Sequence, residues 1–268
     1  MHGRRAERGR DEPRFSLVFP TYNPGPGIES VWAEVGRFLD RSPGWEALFV
    51  CDGCTDGTPE RLTELAAGAP YPVRVLRYSP NRGKGHAVRL GLAAAGGRWR
   101  LFTDVDLAYS FADVERVAAA LQAGAEVAIA SRTHRDSRLV LPPRLQGYAY
   151  RRHLQSLVFS AVARGLLPIT QRDTQAGLKG MSARAAELIL PRLRCDGFGF
   201  DCELLTACAC LGLPVAEVPV WVRYEDRAST TGLGSMSRML RELWRIRRAW
   251  RKLPPPVPAE KSLQKEAA

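Results

Sequence analysis

Between residues 15 and 130 the chain alternates five apolar runs of strand length with stretches of helical spacing, and this alternation narrows the fold more than any other feature. The runs are Phe15-Ser16-Leu17-Val18-Phe19, Ala47-Leu48-Phe49-Val50, Val73-Arg74-Val75-Leu76, Trp99-Arg100-Leu101-Phe102-Thr103 and Val127 to Ala130. Between them, Ile28, Val31, Trp32, Val35, Phe38 and Leu39 recur at helical intervals. Thr58 is placed to cap a second helix with Pro59 at its first position, and further helices are expected from Lys84 to Ala95 and over 111–123. Strands that alternate with helices through short loops pair in parallel and bury both faces. The spacing therefore predicts an α/β protein with a mostly parallel sheet and helices on both faces. Ligands of such sheets bind beyond the carboxyl ends of the strands.

After Ser131-Arg132 the pattern changes. Residues 132–147 are basic and polar and contain Pro142-Pro143, which reads as a loop. A helix is expected over 148–167, a polar loop from Gln171 to Lys179 leading into a short strand, a helix over 201–211, a strand over 215–222 and a last helix over 235–253. Residues 1–13 read as a disordered basic tail, and 254–268 as a second tail, proline-rich and then charged. A single domain over 14–253 remains, and a chain of 268 residues is long enough to bury its core.

The net charge of +11 points to an anionic partner: a nucleotide, a lipid phosphate, a membrane surface or a nucleic acid. No helix-turn-helix, zinc or RNA-binding signature accompanies the charge, which sets nucleic acid aside. Six cysteines are few for a disulfide scaffold, and the C-x-x-C pair Cys51/Cys54 has no second pair at zinc spacing, so reduced thiols are expected. The first 14 residues lack the apolar core of a secretory signal, and no run of 18 apolar residues is present to span a bilayer. The expected location is cytoplasmic.

The strand ends carry Thr21-Tyr22-Asn23, Asp52, Asn81 and the pair Asp104 and Asp106. Two carboxylates one residue apart at the end of a buried strand suit Mg²⁺ or Mn²⁺, which take oxygen ligands and keep positions open for a substrate phosphate. In an extended chain, alternation points both the same way. Asn81-Arg82-Gly83-Lys84-Gly85 precedes a helix, where glycines admit a close ligand and the helix start favours an anion; a plain turn is the alternative. Asp173 to Lys179 is polar between apolar segments, and Phe198-Gly199-Phe200-Asp201-Cys202-Glu203 puts two acids at a helix start. One of these acids complements the helix dipole; the other is a candidate to face an acceptor. Over Ser235 to Leu253, Met236, Met239, Leu240, Leu243, Trp244 and Trp250 share one face opposite Arg238, Arg241, Arg245, Arg248 and Lys252. That helix either packs on the core or lies on anionic lipid.

Taken together, Phe19-Pro20-Thr21-Tyr22-Asn23, Asp52-Gly53-Cys54-Thr55-Asp56-Gly57-Thr58, Asn81-x-Gly83-Lys84-Gly85 and Asp104-Val105-Asp106 resemble the family-2 glycosyltransferases of GT-A fold. Asp173-Thr174-Gln175-x-Gly177-x-Lys179, Phe200-Asp201-x-Glu203-Leu204-Leu205 and Glu217-Val218-Pro219-Val220-x-Val222 resemble the branch that glucosylates or mannosylates polyprenyl (dolichyl) phosphate. The pattern differs at Cys51, where the family usually has an acid, at Pro24, where a glutamate often stands, and at Ser229-Thr230 in place of Ser-Lys.

The resemblance implies a single Rossmann-like GT-A catalytic domain, with a nucleotide-binding half over about 14–131 and an acceptor half over about 132–253. By the same resemblance Pro20, Tyr22 and Asn23 line the nucleotide pocket, Asp52 contacts the base and Lys84 lies near it. Asp104 sits by ribose and metal, and Asp106 ligates the metal. Arg132 approaches a donor or acceptor phosphate, and Gln175 and Lys179 face the sugar or acceptor. Asp201 or Glu203 is the candidate general base for a hydroxyl acceptor. The implied activity is inverting, metal-dependent transfer of a hexose from a UDP- or GDP-sugar to a polyprenyl-phosphate lipid, with the protein peripheral on the cytoplasmic membrane face. A soluble glycosyltransferase acting on a small molecule or glycan is the alternative, and a sugar nucleotidyltransferase shares the sheet and metal logic.

Overall fold

The structure is a computed structural model that describes residues 13–140, 146–223 and 233–251. Most of both expected tails, Pro142-Pro143 and Ser229-Thr230 lie outside these residues, as do the side chains of Met236 and Arg238. The expected alternation is present as β1 (Phe15–Thr21), α1 (Gly27–Arg41), β2 (Trp45–Asp52), α2 (Thr58–Ala67), β3 (Val73–Tyr78), α3 (Lys84–Ala94), β4 (Trp99–Phe102), α4 (Phe111–Gln122) and β5 (Val127–Ser131). The second half adds β6 (Arg138–Val140), α5 (Gln146–Leu166), β7 (Lys179–Ser182), α6 (Ala183–Ile189), α7 (Phe200–Cys210), β8 (Val215–Pro219), β9 (Trp221–Arg223) and α8 (Leu233–Trp250).

The main sheet has seven strands in the order β3-β2-β1-β4-β7-β5-β8. Two-residue alternation splits its side chains between two cores. Leu17, Phe19, Ala47, Phe49, Leu101 and Ala128 point into one, against α1 and α4. Val18, Leu48, Val50, Phe102, Val127 and Ile129 point into the other, against α3, α6 and α7. Strands buried on both sides explain why the sequence shows continuous apolar runs there. Removing each large side chain such as Phe49 from water contributes about 1.5–3 kcal/mol.

Several features depart from the sequence reading, among them β6, which lies within residues 132–147 that were expected to form a loop. The short strand after the Gln171–Lys179 loop enters between β4 and β5 and runs antiparallel to both. Its loop already lies at the carboxyl edge, since Ala130 N–H donates to Leu178 O at 3.0 Å, so the strand starts from that edge and runs back. The strand expected over 215–222 is broken. β8 pairs with β5, but Val220 turns away because its N–H donates to Ser137 Oγ (3.0 Å) and its carbonyl accepts from Arg138 N–H (3.0 Å), and β9 joins β6 in a separate two-stranded sheet. The short α6, capped by Ser182 Oγ on Ala185 N–H at 3.0 Å, was not anticipated.

α8 also turns differently from the expected stripe. Met239, Leu243, Ile246 and Trp250 are buried, whereas Leu240 and Trp244 are 36% and 61% exposed. The inward set follows the i, i+4, i+7, i+11 spacing of a single helical face. Among the described residues no helix is long and apolar enough to cross a membrane.

Candidate active site

The loops after β1 and β2 are stapled together. Asn23 adopts a positive φ of 44°, and its Oδ1 accepts from Thr55 N–H at 2.8 Å. Asp56 accepts from Gly25 N–H at 2.8 Å through one oxygen and from Thr58 N–H at 3.2 Å through the other, so it joins both loops to the start of α2, where Gly57 is the N-cap and Thr58, expected to be the cap, is the first helical residue. Pro20, next to last in β1, is half-buried, Asn23 is exposed, and Tyr22 is 56% exposed. These are the residues expected to line a nucleotide pocket.

Asp52, at the end of β2, is buried, and its carboxylate is heavily engaged. It accepts from Arg82 N–H (2.6 Å), Gly83 N–H (2.9 Å) and Asn81 Nδ2 (3.0 Å), and Asn81 also donates to the Asp52 carbonyl (2.9 Å). Its direct work is to shape the Asn81–Gly83 loop. Gly53 has φ of +63°, and a Cβ there would lie 2.7 Å from Asn81 Cα, so the two loops touch backbone to backbone.

The start of α3 is not an open anion cradle. Gly85 N–H donates to Asp196 O at 2.7 Å and His86 N–H to the same oxygen at 3.3 Å. Cβ atoms at Gly83 and Gly85 would sit 2.5 Å from Asp196 O and Cys195 O. The glycines are there for the close approach of the 195–199 segment, whose placement the sequence did not reveal. Arg89 holds Asp196 by an ion pair, and Glu242 of α8 accepts from Gly199 N–H at 2.7 Å.

What the start of α3 delivers is Lys84. Its Nζ lies 2.6 Å from Asp104 Oδ1. Burial works against the ammonium charge, yet Asp104, Asp201 and Asp106 outweigh it and hold Lys84 above the ordinary lysine range. Lys84 was expected near a base, but its partner here is the acid pair. That pair is not extended. Leu107 N–H donates to Asp104 O at 3.2 Å, Leu107 has φ of +53°, and Asp106 Oδ1 accepts from Ala108 N–H at 3.1 Å. A turn, not strand alternation, orients the two carboxylates. The Asp104 Oδ2 occupies the space that a Cβ would fill at Gly177, so this glycine makes room for the acid. Asp104 is partly open and Asp106 exposed. Two hard carboxylate donors in a turn at the carboxyl end of the sheet fit a divalent cation that completes its shell with phosphate or water oxygens.

In the second half, Arg132 follows β5 and is clamped on buried Asp173. Its Nε and Nη2 bind the two carboxylate oxygens at 2.7 and 2.8 Å, its N–H adds 2.9 Å, and Nη2 reaches Ser156 Oγ at 3.2 Å. Burial pushes the Asp173 carboxyl up, but Arg132 outweighs this and holds it below the ordinary value. Gln175 is half-buried and donates to Cys202 Sγ at 3.4 Å. Lys179 is fully buried, with Nζ 2.6 Å from Asp201 Oδ1 and 2.5 Å from Ala176 O. It faces the interior, not an open cleft.

The two acids of α7 have separate employment. Asp201 pairs with Lys179. Glu203 accepts from Arg194 N–H (2.8 Å), Cys195 N–H (2.7 Å) and Trp250 Nε1 (3.2 Å), which ties the end of α8 to the 194–195 backbone. With both oxygens in structural bonds, Glu203 is a brace and is not available as an acceptor-facing base.

Cys54 differs from the other thiols. A hydrogen bond with Cys51 draws it down to about 7, against burial, while burial pushes Cys195, Cys202 and Cys208 up to about 12. The thiolate is the reactive form. Alkylation of Cys54 should therefore rise as pH passes about 7, and iodoacetamide at neutral pH should label it first by peptide mass spectrometry. Equal labelling of Cys54 and Cys195 would contradict this.

The mostly parallel sheet thus gathers Tyr22, Asn23, Asp52, Lys84, Asp104 and Asp106 at one edge. The glycosyl transferase family 2 model matches residues 16–188. The chain belongs to glycosyl transferase family 2. It is 32% identical over 245 residues to a dolichyl-phosphate beta-glucosyltransferase of Drosophila melanogaster, covering 87% of this chain and 74% of the relative. Among solved structures it resembles a Pyrobaculum calidifontis mannosyltransferase in complex with GDP-Man and Mn2+, at TM-score 0.59 and 21% identity over 96% of this chain and 70% of the other. It also resembles glucosyl-3-phosphoglycerate synthase of Mycobacterium tuberculosis in complex with Mg2+ and UDP, at TM-score 0.59 and 23% identity over 91% and 80%. The fold is GT-A, and this family-2 protein is a glycosyltransferase.

Proposed function

We propose that this glycosyltransferase moves a hexose, with inversion, from a UDP- or GDP-sugar to a polyprenyl phosphate. The likeness to the Drosophila dolichyl-phosphate beta-glucosyltransferase over 87% of the chain carries the reading of the acceptor. Asp104 and Asp106 are the residues that would hold Mg²⁺ or Mn²⁺, and an ion there supplies charge neutralisation for a departing diphosphate. Lys84 contributes a fixed positive charge beside them. Pro20, Tyr22 and Asn23 frame the donor, and Asp52 fixes the loop that carries Lys84.

A phosphate acceptor is anionic at neutral pH and needs orientation more than deprotonation, whereas a hydroxyl needs a general base. Glu203 is bonded to backbone and Trp250, and Asp201 is paired with Lys179. That engagement of both candidate bases favours the phosphate acceptor over a hydroxyl. The deciding assay is nucleotide-sugar turnover with Mg²⁺ or Mn²⁺ over a panel of UDP- and GDP-sugars, each with and without a short polyprenyl phosphate. Metal-dependent release of UDP or GDP that rises with lipid supports the reading. Release indifferent to lipid favours a small-molecule or glycan acceptor, and a requirement for a nucleoside triphosphate favours a nucleotidyltransferase.

The reading includes peripheral attachment to the anionic cytoplasmic face of a membrane. Leu157, Val158 and Val162 of α5 and Leu240 and Trp244 of α8 are exposed on helices that touch each other. Arg241, Arg245 and Arg248 are exposed on the same α8. Apolar side chains flanked by arginines match the acyl boundary and the headgroups of anionic lipid. Trp244→Ala should weaken sedimentation with anionic vesicles by about tenfold or more, since burying such a side chain is worth about 1.5–3 kcal/mol. Unchanged vesicle binding would remove α8 from the membrane contact.

A further inference from the structure

We propose that Lys179 is a positioning residue for glycosyl transfer, the buried centre of a row of alternating charges that holds the donor-side acids in register with Arg132. The inference rests on reading Asp104 and Asp106 as the donor-side acids.

The row starts at Asp104, whose Oδ1 meets Lys84 Nζ at 2.6 Å. Lys84 in turn lies in the field of Asp201. Asp201 Oδ1 meets Lys179 Nζ at 2.6 Å. Lys179 adds to the field that keeps Asp173 ionised, and Asp173 clamps Arg132 at 2.7 Å. Signs alternate along the row, with direct ion pairs at Asp104–Lys84, Asp201–Lys179 and Asp173–Arg132.

The backbone puts Lys179 where such a row needs its centre. It stands opposite Phe102 on β4 and Ile129 on β5. Asp104 lies just beyond Phe102 in sequence, and Arg132 just beyond Ile129. The Lys179 ammonium also donates to Ala176 O at 2.5 Å, which fixes the segment where Gly177 makes room for Asp104. Lys179 therefore reaches the acid by two routes, through Asp201 and Lys84 and through Ala176 and Gly177. It is fully buried.

A buried ion pair is a poor device for stability alone, because well-packed apolar residues of similar volume often serve as well or better. That supplies a test. In Lys179→Met/Asp201→Leu the pair becomes apolar and the row is interrupted. The variant should melt cooperatively within a few degrees of the parent. Its KM for donor and for acceptor should stay within about threefold, while kcat falls about a hundredfold, the scale expected when reacting groups shift by about 1 Å. Asp201→Asn, which keeps the size of the side chain, is the second arm and should lose kcat in the same selective way. The pH profile of kcat should keep its shape in both variants.

A kcat within threefold of the parent in folded variants would overturn the proposal, and so would a loss confined to donor KM. A changed acidic limb in the pH profile would mark Asp201 as a base and overturn it too. A double variant that does not fold, combined with parental kcat in Asp201→Asn, would make the pair a core element only. A parent that turns over no nucleotide sugar in the same assay would sink the donor reading itself, separately from any variant.

Discussion

Asp106→Ala should lower turnover by about a hundred- to a thousandfold, the loss typical of deleting one group that stabilises developing charge, while leaving the fold intact. The side chain is exposed, and it bonds Ala108 N–H at 3.1 Å within its own turn. Losing such a bond costs about 0.5–1.5 kcal/mol. The effect on catalysis should be far larger, because Asp106 is the exposed member of the pair that would hold the divalent ion. Asp104→Ala should behave differently. It removes the carboxylate at 2.6 Å from the Lys84 ammonium, which has little exposure of its own, so stability and turnover should fall together. Steady-state release of nucleoside diphosphate at saturating Mn²⁺, with thermal melts of both variants, separates the two effects. Near-parental turnover in Asp106→Ala would end the assignment of the acid pair.

The parts of this protein that were legible in the sequence are those set by local periodicity. Leu17, Val18 and Phe19 declare a strand buried on both sides because every position must be apolar, whichever way it faces. The strand ends followed from the strands, and so did the gathering of Tyr22, Asn23, Asp52 and Asp104 at one edge. What stayed hidden depends on distant partners. Asp201 and Glu203 look alike in sequence, two acids in the first turn of one helix, yet one meets Lys179 and the other meets Trp250, 47 residues away. The direction of β7 was equally invisible, since alternation is the same read forwards or backwards. Leu240 and Trp244 were grouped on one face with Met239, Leu243 and Trp250 because a stripe of apolar residues gives its width but not its centre, and the core selected Ile246 instead. The glycines of Asn81-Arg82-Gly83-Lys84-Gly85 signalled a close approach correctly, but the approaching group is Asp196 and its neighbours, not a phosphate.

Asp52→Ala carries the largest expected effect on stability. The buried carboxylate accepts two backbone N–H groups and the Asn81 amide. The donors stand on exposed or half-buried residues and can take up water in the variant, so at about 0.5–1.5 kcal/mol per bond the loss should total about 2–4 kcal/mol. That corresponds to a fall of about 10 °C in melting temperature for a chain of this size. Asp52→Asn should fall between parent and alanine, because its amide keeps one acceptor oxygen and turns an NH₂ toward donors. The 81–83 loop leads straight into Lys84, so loosening it should also displace the ammonium from Asp104 and lower kcat. The resemblance implies a different pattern, in which Asp52 reads the nucleotide base. On that account alanine should raise donor KM and erode discrimination between UDP- and GDP-sugars without lowering the melting temperature. Melting curves and donor KM for both substitutions distinguish the two. The three short contacts to the 81–83 loop lead us to expect that the melt will move.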